Sequence, residues 1–214
     1  AVVALRKRGH EAVAAFLADA DPMIAADAAR AIHDGWMIPL AFLDLASALP
    51  LHQEHEAFAR RAINANFRIG DAEAAERVAT FVAEGSAPEA VLEAALEALR
   101  NWTEPPVLDL VVGRYRALEP RDPMIVASAI EHHLDALLTS PFSSVRGTAM
   151  ALARDSSLTI PDTALPAVLG NADATAALRA EALRSLSSQK VPGLAAGVQA
   201  AAPDPDWPGG ELPL

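Results

Sequence analysis

The chain contains no cysteine. That excludes disulfides, thiolate metal sites and covalent haem attachment through C-x-x-C-H, but it leaves the compartment open. Aromatic residues make up only 5%, and β-branched runs are scarce, which disfavours a sheet. No run of about 18 apolar residues occurs, so no membrane-spanning helix is expected. Basic residues are outnumbered: 17 Lys and Arg stand against 28 Asp and Glu, a formal net charge of −11. A nucleic-acid binder needs a basic face to displace counterions, so that class is set aside. No signal-peptide pattern is present. G-x-S-x-G, G-x-G-x-x-G and G-x-x-x-x-G-K do not occur, and no nucleophile, acid–base pair or cofactor loop can be assembled.

What is abundant is alanine and leucine, the strongest helix formers, within a hydrophobic fraction of 52% over 214 residues. The pattern centres on the helix predicted over Glu54–Ile69. With Phe58 at zero on a 3.6-residue wheel, Ala62, Ala65 and Ile69 share its stripe, and Ala59, Ile63 and Phe67 widen it to nearly half the circumference. So wide an apolar arc suits an inner helix of a stack, packed on a hairpin partner and on neighbouring pairs. The remaining arc carries Arg60, Arg61, Asn64 and Arg68, a candidate docking ridge expected on the concave side. Ion pairing of these arginines with Asp and Glu of neighbouring repeats is the competing reading in so acidic a chain. Gly70 suits the residue after the helix, where φ turns positive.

Periodicity, caps and breakers place the other helices at Val2–Arg8, His10–Ala18, Met23–His33, Pro39–Leu49, Ala72–Glu84 and Glu89–Arg100. They continue at Val107–Leu118, Met124–Leu138 (one helix, or two broken near His132-His133), Ser143–Arg154, Pro161–Leu169, Thr175–Ser187 and Gly193–Ala201. Asp21-Pro22 and Asp122-Pro123 read as helix starts, and Pro203–Leu214 as a linker. Ala1–Arg8 reads as helix interior without a cap. The expectation is therefore a segment of a longer protein whose N-terminal face frays or self-associates. The domain reading is a helical-repeat domain over 1–201 and a Pro/Gly-rich tail over 202–214.

Second helices of successive pairs share a small/apolar pattern anchored at Ile32, Ile63, Leu99, Leu152 and Leu186. The first three anchors lie 31 and 36 residues apart and the last two 34 apart, a two-helix repeat period. The interval of 53 from Leu99 to Leu152 does not divide cleanly. The expected fold is all-α, a HEAT-like right-handed solenoid of about five helix pairs.

Histidine is the obvious metal ligand to consider. His10-Glu11 and His55-Glu56 resemble the His-Glu pairs of di-iron HEAT-repeat hydroxylases, but that family needs four symmetric pairs and only two occur here. His52, His55 and Glu56 lack an H-E-x-x-H frame. Adjacent His132 and His133 point about 100° apart on a helix. No metal or cofactor site is assigned. Of the tryptophans, Trp36 and Trp102 are expected to pack between repeats, and Trp207 to dock on another domain.

The run R-R-A-I-N-A-N-F-R-I-G (Arg60–Gly70) stands with A-A-R-A-I-H-D (Ala28–Asp34) and N-W-T-E-P-P (Asn101–Pro106). Together they resemble the HEAT-repeat segment of bacterial membrane-bound dehydrogenases carrying a PVC-type haem-binding domain. In those proteins the helices lie between a six-bladed propeller, like that of quinone-dependent sugar dehydrogenases, and a c-type cytochrome. The resemblance implies a non-catalytic scaffold or spacer in an extracytoplasmic, periplasmic protein, with propeller and cytochrome as partners and the chemistry elsewhere in the parent. It carries no catalytic, haem or cofactor residue onto this chain. A free-standing adaptor binding a protein or peptide in its concave groove is the alternative, and an enzyme in its own right comes third.

Overall fold

A computed structural model describes residues 1–35, 38–161 and 163–189. Trp36, Trp207, the predicted helix Gly193–Ala201 and the Pro203–Leu214 tail lie outside the described residues.

Helix α1 (Val2–Arg8) leads through a 3-10 turn, Glu11–Phe16, into α2 (Pro22–Gly35). The Asp21 carboxylate accepts the Met23 N–H at 2.9 Å, the capping role its place before proline predicts. Pro39–Leu49, expected as one helix, is a 3-10 turn at Pro39–Ala41 followed by the short α3 (Phe42–Ser47). Then come α4 (Glu56–Ile69), α5 (Ala72–Glu84) and α6 (Glu89–Arg100). The Asp71 side chain caps α5 by accepting the Ala74 N–H at 2.8 Å. After a long connection follow α7 (Pro123–Leu138), unbroken at His132-His133, α8 (Ser143–Asp155), α9 (Ala164–Leu169) and α10 (Ala176–Gln189). The chain is all-α: among the described residues there is no strand, only one isolated antiparallel bridge, Leu108 to Tyr115.

The helices pack in order. α2 touches α4, α4 touches α6, α6 touches α8 and α8 touches α10. Each later member also pairs with the helix before it: α3 with α4, α5 with α6, α7 with α8 and α9 with α10, while α5 packs on α7. Alanine makes this close approach workable. Ala59, Ala62 and Ala65 of α4 and Ala95 and Ala98 of α6 are fully buried, and their small side chains leave little gap between backbones.

One predicted helix does not exist. Val107–Leu118 is an irregular excursion built as a tight ribbon: Arg116 N–H donates to the Val107 carbonyl at 2.9 Å, and Asp109 N–H to the Arg114 carbonyl at 2.9 Å. The physical reason lies at its centre, where Val111-Val112-Gly113 pairs two β-branched residues with a glycine at φ 62°. This excursion also explains the 53-residue interval, because it inserts a non-repeating segment between α6 and α7.

Candidate functional site

The ribbon folds back over the end of α2 and the polar side of α4, and there it meets the predicted ridge. On α4, Arg61, Asn64 and Arg68 follow at spacings of three and four and so share one face. The last residues of α2 bring His33 and Asp34. The ribbon supplies Asp109 and Arg116, both buried.

Asp109 is the hub, and its side chain is fully shielded from solvent. One carboxylate oxygen accepts the backbone N–H groups of Val111 and Val112, each at 2.9 Å, which shapes the turn. The other accepts from Asn64 Nδ2 at 2.9 Å and Arg116 Nη1 at 3.3 Å, with Arg68 Nη1 3.6 Å away and His33 Nε2 3.8 Å away. Arg116 also donates to the carbonyl oxygens of His33 and Asp34, both at 3.0 Å. It thereby places a cation on the carbonyl end of α2. Arg61 grips Asp34 through two parallel bonds, Nε to Oδ1 at 3.1 Å and Nη2 to Oδ2 at 3.0 Å.

The proton positions follow from the acceptors. Ionised Asp34 can only accept, so His33 Nδ1, 2.9 Å from Asp34 Oδ1, carries the hydrogen. His33 Nε2 is then the acceptor for Asn64 Nδ2 at 2.7 Å, and the second amide hydrogen of Asn64 goes to Asp109.

The electrostatics favour charged carboxylates. For Asp34, burial opposes ionisation, but hydrogen bonds from His33 and Arg61 and the Arg61 charge outweigh it and hold the carboxyl well below its usual range. Asp109 is likewise lowered against the cost of burial, by the Val112 and Val111 N–H groups and the Asn64 amide. Burial pulls the Arg68 guanidinium down, with Arg116 adding repulsion and Asp109 opposing it.

Beside this cluster lies a second arginine site. Arg121 lies over the rings of Phe67 and Trp102, 5.0 and 5.2 Å from their centroids. Those two rings meet edge to face at 5.6 Å. Trp102 is fully buried here, in the packing role its loop position predicts. Burial, then repulsion from Arg68, lowers the Arg121 guanidinium.

The candidate ridge is therefore divided and largely covered. Asn64 and Arg68 lie under the chain's own ribbon and Arg61 against the end of α2, whereas Arg60 stays at the surface and pairs with Glu56 at 2.7 Å. A concave ridge open to a partner needs correcting at those three residues, because a segment expected to be helical lies on Asn64 and Arg68 and the end of α2 holds Arg61. Arg61–Asp34 and Arg68–Asp109 are contacts of the competing, ion-paired kind. Sequence spacing does not single out His33, Asp34, Asp109 or Arg116. The available signal is Gly113 and the two valines before it, which argue against a helix there.

The histidines are dispersed. His10 Nδ1 accepts the Ala12 N–H at 3.1 Å as a cap, and His55 Nε2 lies 3.4 Å from the Met23 sulfur. His132 and His133 meet Glu76 of α5, at 3.4 and 2.8 Å, and tie α7 to it. Among the described residues no group of three or more His, Asp or Glu is arranged to hold a metal. No described helix is long and apolar enough to cross a membrane. Compared with protein-family models, curated proteins and solved structures, the chain matches none.

Proposed function

We propose that this chain is a non-catalytic helical-repeat scaffold, a HEAT-like solenoid of about five helix pairs that spaces the working modules of a larger protein. The observation that carries this reading is the succession of contacts α2–α4–α6–α8–α10, each helix resting on the next with its hairpin partner alongside. Stability in such an array is a sum of nearest-neighbour interfaces, which suits a spacer of set length.

The resemblance motif supports the same reading. Within Arg60–Gly70, Arg61, Asn64 and Arg68 hold the ribbon and the end of α2, while Ile63 and Phe67 fill the core. By that resemblance the parent is a periplasmic sugar-dehydrogenase-like protein, in which the scaffold sets the distance between a quinone-dependent propeller and a c-type cytochrome.

The test is to delete residues 1–201 from a parent that retains both modules. Haem reduction should slow while turnover of the propeller with an artificial acceptor persists. The isolated chain should show no sugar oxidation. Unchanged haem reduction after the deletion would favour the free-standing adaptor.

A further inference from the structure

Arg121 is a partly buried cation that no carboxylate neutralises. Its backbone N–H donates to the Thr103 carbonyl at 2.9 Å. Its guanidinium, among the described residues, donates no hydrogen bond and joins no ion pair. Arg77 also has one shielded nitrogen without an acceptor, but its other nitrogens hold Glu73 and Asn66. The two acids that adjoin Gly70 and Arg121 in sequence, Asp71 and Asp122, are occupied as helix caps. Holding a charge out of water in this condition is costly.

The surroundings add donors and no acceptor. Trp102 is fully buried against the guanidinium, and its indole N–H is shielded without a hydrogen-bond partner. Such groups are rare in native proteins, and each requires an explanation. Arg68 repels Arg121 from nearby. Gly70 gives the group its room, since a Cβ there would stand 2.4 Å from both Cζ and Nε. Of the three guanidinium nitrogens only Nη1 is shielded, so the Nε–Nη2 edge is open to solvent. That edge offers two parallel N–H groups, the fork that a carboxylate accepts. One guanidinium calls for one negative charge, which a carboxylate supplies and a phosphate group exceeds.

We propose that Arg121, backed by Phe67 and Trp102, is a binding site for a carboxylate group, which takes the open Nε–Nη2 edge of the guanidinium. The bound charge offsets both burial of the cation and its repulsion by Arg68. It thereby secures the connection between α6 and α7 to the end of α4. This site goes beyond the scaffold reading and does not depend on it.

The experiment titrates sodium acetate into the isotope-labelled 214-residue chain and follows it by NMR, with sodium chloride and sodium phosphate at matched ionic strength. The Arg121 Nε–H and Trp102 indole N–H resonances should move along one saturable curve with acetate. Read from Trp102, affinity should fall at least tenfold in Arg121→Gln and severalfold in Gly70→Ala, whose Cβ displaces the guanidinium. Acetate should also raise the Tm of the unaltered chain. Capped aspartate identifies the source: competition at the same resonances assigns a protein side chain, and its failure a free small acid. A linear response, or one that chloride reproduces, would overturn the proposal and leave an adventitious ion only. Tighter binding of phosphate, or a response that persists in Arg121→Gln, would overturn it as well. The titration of the unaltered chain can fail by itself, so the test does not require either variant to fold.

Discussion

The guanidinium of Arg116 donates to the backbone carbonyl of His33 at 3.0 Å, across 83 residues of sequence. The same nitrogen lies 3.3 Å from the Asp109 carboxylate. One side chain thus closes the end of α2 and neutralises the buried acid that shapes the ribbon. The stack of helices and the excursion between α6 and α7 are joined at this point.

Asp109→Asn should therefore be costly. It removes the charge to which Arg116 and Arg68 are directed and leaves buried cations less compensated, a loss of roughly 3 kcal/mol at neutral pH. The sign of its pH dependence follows from the lowered carboxyl. A group whose folded pKa lies below its unfolded value, about 3.9 for aspartate, stabilises the fold above that value and loses the effect as pH falls through the folded one. Urea titrations of both proteins should show a full stability gap above about pH 5 that narrows below about pH 4. A gap independent of pH would assign the loss to packing.

Gly70 ends α4 at φ +76°, and a Cβ there would stand 2.4 Å from the Arg121 guanidinium carbon. Gly70→Ala meets two penalties, a left-handed backbone and a displaced arginine, together about 2–3 kcal/mol. Arg121→Ala removes the second obstacle. In a double-mutant cycle, Gly70→Ala should cost less in the Arg121→Ala background by about 1 kcal/mol. Additive losses in thermal or urea unfolding would mean that backbone strain alone is responsible.

The helices were legible because their signals are local. Asp71 before α5, Asp122-Pro123 before α7 and Gly70 after α4 act within a few residues of where they stand, and α1, α5 and α6 begin and end where periodicity places them. The buried cluster was only half legible. Arg61, Asn64 and Arg68 stood out as one polar arc of α4, but what meets Arg61 arrives from 27 residues away and what covers Asn64 and Arg68 from 45 and 48. Helical spacing carries no information about such a return. The apolar content of Val107–Leu118 imitates a helix, but Val107 and Leu108 face outward while Asp109 and Arg116 are buried, the reverse of the pattern on which amphipathic reading depends.

Asn66 shows how a buried amide joins three helices. Its Nδ2 donates to the Ala46 carbonyl of α3 at 2.8 Å and to Ala62 at 2.9 Å, and its Oδ1 accepts from Arg77 Nε of α5 at 2.8 Å. Asn66→Leu keeps the branched shape but takes a hydrogen-bond partner from the Ala46 carbonyl and from Arg77, at a cost of about 2–3 kcal/mol. Urea unfolding measures it. A neutral outcome would mean that water reaches both groups.

The ribbon can be removed without breaking the chain path, and this tests whether it binds the stack or merely decorates it. Arg116 N and the Val107 carbonyl are 2.9 Å apart, so a Gly-Gly link from Pro106 to Ala117 spans the gap. The excised protein keeps every helix, and its far-UV circular dichroism should be unchanged. It loses Asp109 and Arg116, which leaves the carbonyl end of α2 without its cation and Arg68 without its acid. A loss of about 3 kcal/mol in a chain of this size lowers Tm by roughly 10 °C. Buried ion pairs can also cancel against their own desolvation, and in that case Tm would stay where it was. Hydrogen exchange separates the outcomes further: without the ribbon, amides in the last turn of α2 should exchange faster, while those of α10, which packs on α8 and α9, should not change.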